Sequence, residues 1–94
     1  MTTLTQLKVG EGPIRIRLCD EPTVRATFKG YVATIEVEDL YSRTRHFMYI
    51  QAKSICEGLE PLRLANDGRF EGICIRIRKE SAEKFSKYVI EPCQ

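Results

Sequence analysis

Tryptophan is absent from this chain, and histidine occurs once, at position 46. Without tryptophan, any stacking surface must be built from the phenylalanines and tyrosines. A lone histidine with no second histidine or paired nucleophile beside it reads as a satisfied, partly buried side chain rather than a catalyst. No GxSxG, Walker-type phosphate loop, HExxH or glycine-rich dinucleotide fingerprint occurs. Glu36 and Glu38 do form a carboxylate pair, but on one strand face they answer neighbouring cations rather than perform acid–base work. The chain therefore reads as non-enzymatic. No apolar run approaches the ~20 residues needed to span a bilayer, and Met1 to Val9 has neither the basic start nor the apolar stretch of a signal peptide. The expectation is an intracellular chain with no membrane partner.

A CxxC pair is also missing. The four cysteines Cys19, Cys56, Cys74 and Cys93 lie far apart in sequence, and His46 is the only candidate nitrogen ligand, so neither a metal nor a cofactor is expected. Spacing does not choose among their possible pairings, and they read as small, buried or half-buried thiols. Charge of one sign is scarce too, with a formal net of +2. Any electrostatic case must therefore rest on where the charges lie. Acids gather at Asp20/Glu21, Glu36/Glu38/Asp39 and Glu57/Glu60. Bases gather at Arg15/Arg17, Arg43/Arg45, Arg76/Arg78/Lys79 and Lys84/Lys87.

What is present suffices for one domain. Ninety-four residues, 43% apolar and 30% charged, can bury roughly two-thirds of the unfolded chain's surface around a single core. Residues 1–12 read as a flexible lead-in and 13–94 as the domain. Ile14-Arg15-Ile16-Arg17-Leu18 alternates strictly, a half-buried strand, and Pro22 bends the chain before Val24 to Phe28 resumes it. Lys29-Gly30 is a reversal. In Tyr31 to Glu38, the set Tyr31, Ala33, Ile35 and Val37 shares one face, and Val32, Thr34 and Glu36 the other. A loop at Asp39 to Arg43 leads to the strand Arg45 to Ile50, completing a hairpin.

The period then changes. Ala52, Ile55, Cys56 and Leu59 fall at helical spacing, with Gly58 weakening the helix and Pro61 ending it. Phe70 to Lys79 returns to period two with Ile73, Ile75 and Ile77 inward, Cys74, Arg76 and Arg78 outward, and a bulge or bend at Gly72. Tyr88 to Ile90 is a short last strand. The order is mostly β, β-β-β-α-β-β, which fits a five-stranded Greek-key barrel of OB-fold type with its helix between strands three and four.

On Asp20-Glu21-Pro22-x-Val24 through Thr27-x-x-Gly30-Tyr31-Val32 and Ile35-x-Val37, the chain resembles the opening of small OB-fold single-stranded-DNA-binding proteins, including archaeal replication-protein-A-like modules. That resemblance implies a ligand groove across the second and third strands, lined by Val32, Thr34, Arg45, Phe47 and Tyr49. Phe28, Lys29, Lys84, Phe85 and Lys87 would stand at its rims. Strand parity agrees on one point: with Met48 and Ile50 inward, Arg45, Phe47 and Tyr49 face out, a surface suited to flat anionic partners. The expected function is single-stranded nucleic-acid binding, DNA before RNA, with little sequence preference. Phe47 and Tyr49 would serve as platforms, and Arg43, Arg45, Lys29, Lys84 and Lys87 as phosphate contacts. Glu36 departs from this pattern by putting an anion on the surface. The alternative is a protein-interaction module, a small subunit of a larger assembly or a homodimer.

Overall fold

The alternation of the sequence is realised as one mixed sheet with a single helix, in a computed structural model that describes residues 4–83 and 86–93. Its elements are β1 (Thr5–Gln6), β2 (Ile14–Leu18), β3 (Thr23–Thr27), β4 (Gly30–Asp39), β5 (Thr44–Tyr49), α1 (Lys53–Ala65), β6 (Cys74–Lys79) and β7 (Tyr88–Pro92). The strands run in the order β1-β5-β4-β2-β6-β7, with β3 also paired to β4. Among the described residues only the β1–β5 pair is parallel.

The long strand β4 organises the rest. Its end from Val37 to Asp39 pairs with β2 and its beginning from Gly30 to Thr34 with β3, so the break around Pro22 lets two short strands share one side of it. On its other side β5 runs in register from Thr34↔Tyr49 to Asp39↔Thr44. The inward parity builds the core: Ile16, Leu18, Val37, Ile75 and Ile77 are fully buried, with Ile35, Met48, Ile50 and Ile73 beside them. Each such side chain taken out of water contributes about 1.5–3 kcal/mol.

Two features of the expected architecture need correction. The five-stranded closed barrel is replaced by an open sheet: among the described residues, no ladder joins β7 to β1 or β5. The edge of β5 is occupied instead by β1, through Thr5↔His46 and Gln6↔Phe47, and Leu7 N–H donates to Phe47 O at 2.8 Å. Leu7 thereby enters the core, and the segment read as a lead-in supplies a strand. The helix lies between β5 and β6, not between the third and fourth strands, because β1 adds one strand and the Pro22 break divides another.

Local chemistry shifts several boundaries. The helix runs through Pro61 to Ala65 rather than stopping at it. Proline forfeits one backbone donor, but the following turn is held by Arg63, whose guanidinium bonds Glu60 and donates to Gly68 O at 3.1 Å. Asp67 (φ 57°) and Gly68 (φ 75°) then adopt left-handed conformations that end it. Gly58 has a packing role, since a Cβ there would sit 3.0 Å from Ile90 Cβ on β7. The strand expected over 70–79 begins at Cys74, because Phe70 to Ile73 form a turn in which Gly72 (φ 91°) donates to Leu18 O at 2.8 Å. Glu21 fastens that turn from the opposite side, accepting the backbone N–H groups of Phe70 and Glu71.

Candidate nucleic-acid interface

Arg45, Phe47 and Tyr49 do project from the sheet face opposite Met48 and Ile50, but they do not stand free. Phe47 and Tyr49 are half-buried and pack edge to face, centroids 5.5 Å apart and planes at 89°. The Arg25 guanidinium, carried by β3, lies 4.0 Å from the Phe47 centroid, so that ring already holds a cation on its face. The register sets Glu36 opposite Phe47 and Glu38 opposite Arg45. Arg45 reaches Glu36 at 2.5 Å, while Glu38 takes Arg17 at 3.0 Å and Arg43 at 3.7 Å. The hydrogen bond to Glu36 raises the Arg45 pKa further above its ordinary value. Both arginines expected to hold phosphate on this face thus have a carboxylate beside them, close for Arg45 and looser for Arg43. Cys19, beside the same groups, has its thiol pKa raised chiefly by burial.

His46 turns toward β1. Its two ring nitrogens lie 3.0 Å from Thr5 Oγ1 and 2.8 Å from Thr44 Oγ1. Among the described residues, no group of three or more His, Cys, Asp and Glu side chains is placed to hold a metal ion. No helix among them is long and apolar enough to cross a membrane.

An open groove of about 980 Å³ lies beside this face, at the upper end of the ~300–1,000 Å³ common for ligand clefts. One wall is the β3–β4 reversal. Gly30 takes φ 112°, and Thr27 Oγ1 donates to Gly30 O at 2.8 Å while accepting Lys29 N–H at 3.2 Å. This tight turn lifts Phe28 almost wholly into solvent, 96% exposed, with Lys29 Nζ 5.7 Å from its ring centroid. The facing wall carries a second pair: Lys79 of β6 stands opposite Tyr88 of β7, its Nζ 5.9 Å from the ring centroid. Tyr31, 80% exposed, and Tyr49 contribute further rings, and the segment after β1 adds Lys8. Among the described residues, four aromatic rings and three lysines line the groove, and no carboxylate does. Here the cations are not answered by acids.

Of the residues expected from sequence, the groove gathers Phe28, Lys29 and Tyr49. Arg43, Arg45 and Phe47 belong to the adjacent ion-paired face. Lys87 is exposed next to Tyr88, and Lys84 and Phe85 lie outside the described residues. Val32 lines the groove, whereas Thr34, expected beside it, is buried. Sequence reasoning missed Lys8, Tyr31, Lys79 and Tyr88. Tyr31 carries the core parity of Ala33 and Ile35, but it lies at the start of β4, at the hairpin end, where the sheet has run past its core. The pairing of Lys79 with Tyr88 appears only when β6 and β7 are set in register.

The chain matches no protein-family model, no curated protein and no solved structure.

Proposed function

We propose that this chain is a non-catalytic, single-stranded nucleic-acid-binding module with an open sheet of OB-like connectivity, and that the strand lies in the lysine- and tyrosine-lined groove rather than across the β4–β5 face. The observation that carries this reading is the groove's composition: Phe28, Tyr31, Tyr49 and Tyr88 interleaved with Lys8, Lys29 and Lys79, with no carboxylate among the described lining residues. Rings accept bases of any identity and amines follow the phosphates, so binding shows little sequence preference. The OB-like reading concerns connectivity and not closure: β4 takes β2 and β3 along one side and β2 passes on to β6, while among the described residues no ladder closes the sheet. DNA is placed before RNA on the resemblance of the opening segment alone.

A fluorescent oligo-dT titration at two ionic strengths tests the proposal. Because neutralised phosphates release counterions, binding is expected at low salt and weakens steeply as salt rises. Absence of binding at low salt removes the reading.

A second reading, a protein-interaction module or homodimer, is favoured by one separate observation. Tyr41, 97% exposed at the tip of the β4–β5 loop, stands over a small pocket with Pro13, Ile14 and Leu40. A mass measurement in solution decides it: a stable dimer lost on Tyr41→Ser supports this reading, and a monomer at high concentration removes the homodimer.

A further inference from the structure

The four cysteines are not equivalent once the chain is folded. Cys56 donates its thiol hydrogen to Ile50 O at 3.0 Å, and Cys19 donates to Arg17 O at 3.6 Å. Neither faces a second thiol across any ladder among the described residues. Cys74 and Cys93 differ. The β6–β7 register runs from Lys79↔Tyr88 to Ile75↔Pro92, so one step further sets Cys74 against Cys93, and Cys93 N–H donates to Cys74 O at 3.1 Å. Directly opposed, hydrogen-bonded residues of an antiparallel pair hold their Cα atoms about 5.5 Å apart. That separation lies inside the ~4.4–6.8 Å window for disulfide Cα atoms, and closure draws the Cβ atoms in from the wide end of the ~4.5–5.5 Å cross-strand range to about 4.5 Å or less. Both thiols are free and partly exposed.

We propose that Cys74 and Cys93 form a redox-active dithiol that closes to a disulfide by exchange with a small disulfide of the glutathione class, clamping the last strand to the sheet. Cys74, having lost its proton to water, attacks one sulfur of the small disulfide, whose S–S bond breaks and releases one thiolate. Cys93 then loses its proton and attacks the Cys74 sulfur, forming the protein disulfide and expelling the second small thiolate. Both small thiolates take up a proton. The protein is oxidised by two electrons, and the small disulfide is reduced to two thiols.

The surroundings suit this order of events. Burial raises the Cys93 thiol pKa, neighbouring Cys74 adds to that, and the charges of Arg15 and Arg76 oppose it. A scarce thiolate serves best in the second, intramolecular step, where proximity compensates. The closed form ties down the end of the strand that carries Tyr88 and packs Ile90 against Gly58.

The experiment incubates the reduced full chain with oxidised glutathione, alkylates the remaining thiols and maps the peptides by mass spectrometry. Expected is a Cys74–Cys93 crosslink with Cys19 and Cys56 alkylated, and a thermal midpoint raised by about 10 °C or more, reversed by dithiothreitol. Cys93→Ser should instead retain a glutathione adduct on Cys74, while Cys19→Ser still closes. Crosslinks through Cys19 or Cys56, or four alkylated thiols under excess oxidised glutathione, overturn the proposal. Nucleic-acid binding does not enter this readout, so its outcome is independent of the groove's ligand.

Discussion

The β4–β5 face and the neighbouring groove are built from the same vocabulary of rings and cations, and they differ in what each cation already touches. On the face, Glu36 and Glu38 hold Arg45, Arg17 and Arg43, and Arg25 covers Phe47. In the groove, Lys29 and Lys79 have rings beside them, Lys8 joins them in the lining, and no acid lies among the described lining residues. A phosphate arriving at the face must displace a carboxylate that is held in place by the sheet register, whereas one arriving in the groove displaces water. Exposed ion pairs contribute little to stability, about 0–1 kcal/mol. They nevertheless cancel the local field that would draw in a polyanion.

Four variants test that contrast. The largest effect is expected from Phe28→Ala combined with Tyr88→Ala: each stacked ring contributes ~1–3 kcal/mol per base, so affinity for oligo-dT should fall at least about thirty-fold. A fluorescence titration at low salt reads it, and a loss under about threefold would place the bases elsewhere. Lys29→Ala with Lys79→Ala comes next. If two phosphate contacts are lost, the slope of log affinity against log salt should become shallower by about 1.4, since each contact on a single strand contributes ~0.7.

Phe47→Ala should separate stability from binding. Its half-buried ring packs on Tyr49 and Arg25, so unfolding in urea should show a loss of about 1–2 kcal/mol, with oligo-dT affinity within about twofold of the parent. A large drop in affinity at unchanged stability would restore the face as the platform. Smallest of all, Glu36→Gln frees Arg45 from its partner. Stability should change by under about 1 kcal/mol, and affinity at low salt should rise slightly because a cation becomes available next to the groove. A fall in affinity would contradict the idea that the carboxylate masks the face.

These contrasts also mark what could be read from the chain. Strand parity carried real information: Ile16 and Leu18, Ile35 and Val37, Met48 and Ile50, and Ile73, Ile75 and Ile77 all lie inward, as period-two alternation requires. The outward direction of Phe47 and Tyr49 follows from the same rule. Their packing does not, because it depends on which β4 and β3 residues the register sets beside them. A one-residue slip would have placed other groups there. Tyr31 misled for a related reason: parity assigns a face but does not say where the core ends. Pro61 and the β1 segment were misjudged because tertiary partners, Arg63 with Glu60 in one case and the β5 edge in the other, outweighed local preference. The groove joins residues from the lead-in, the first hairpin and the last two strands, a combination that no local pattern announces.

The most direct test of the groove as the binding site is amide chemical-shift mapping of the full chain on adding a short oligo-dT at low salt. The account predicts that the largest changes fall at Phe28, Lys29, Tyr31, Lys79 and Tyr88, with Arg43, Arg45 and Phe47 nearly still. Changes centred on Arg43 to Phe47, with the groove residues unmoved, would contradict it.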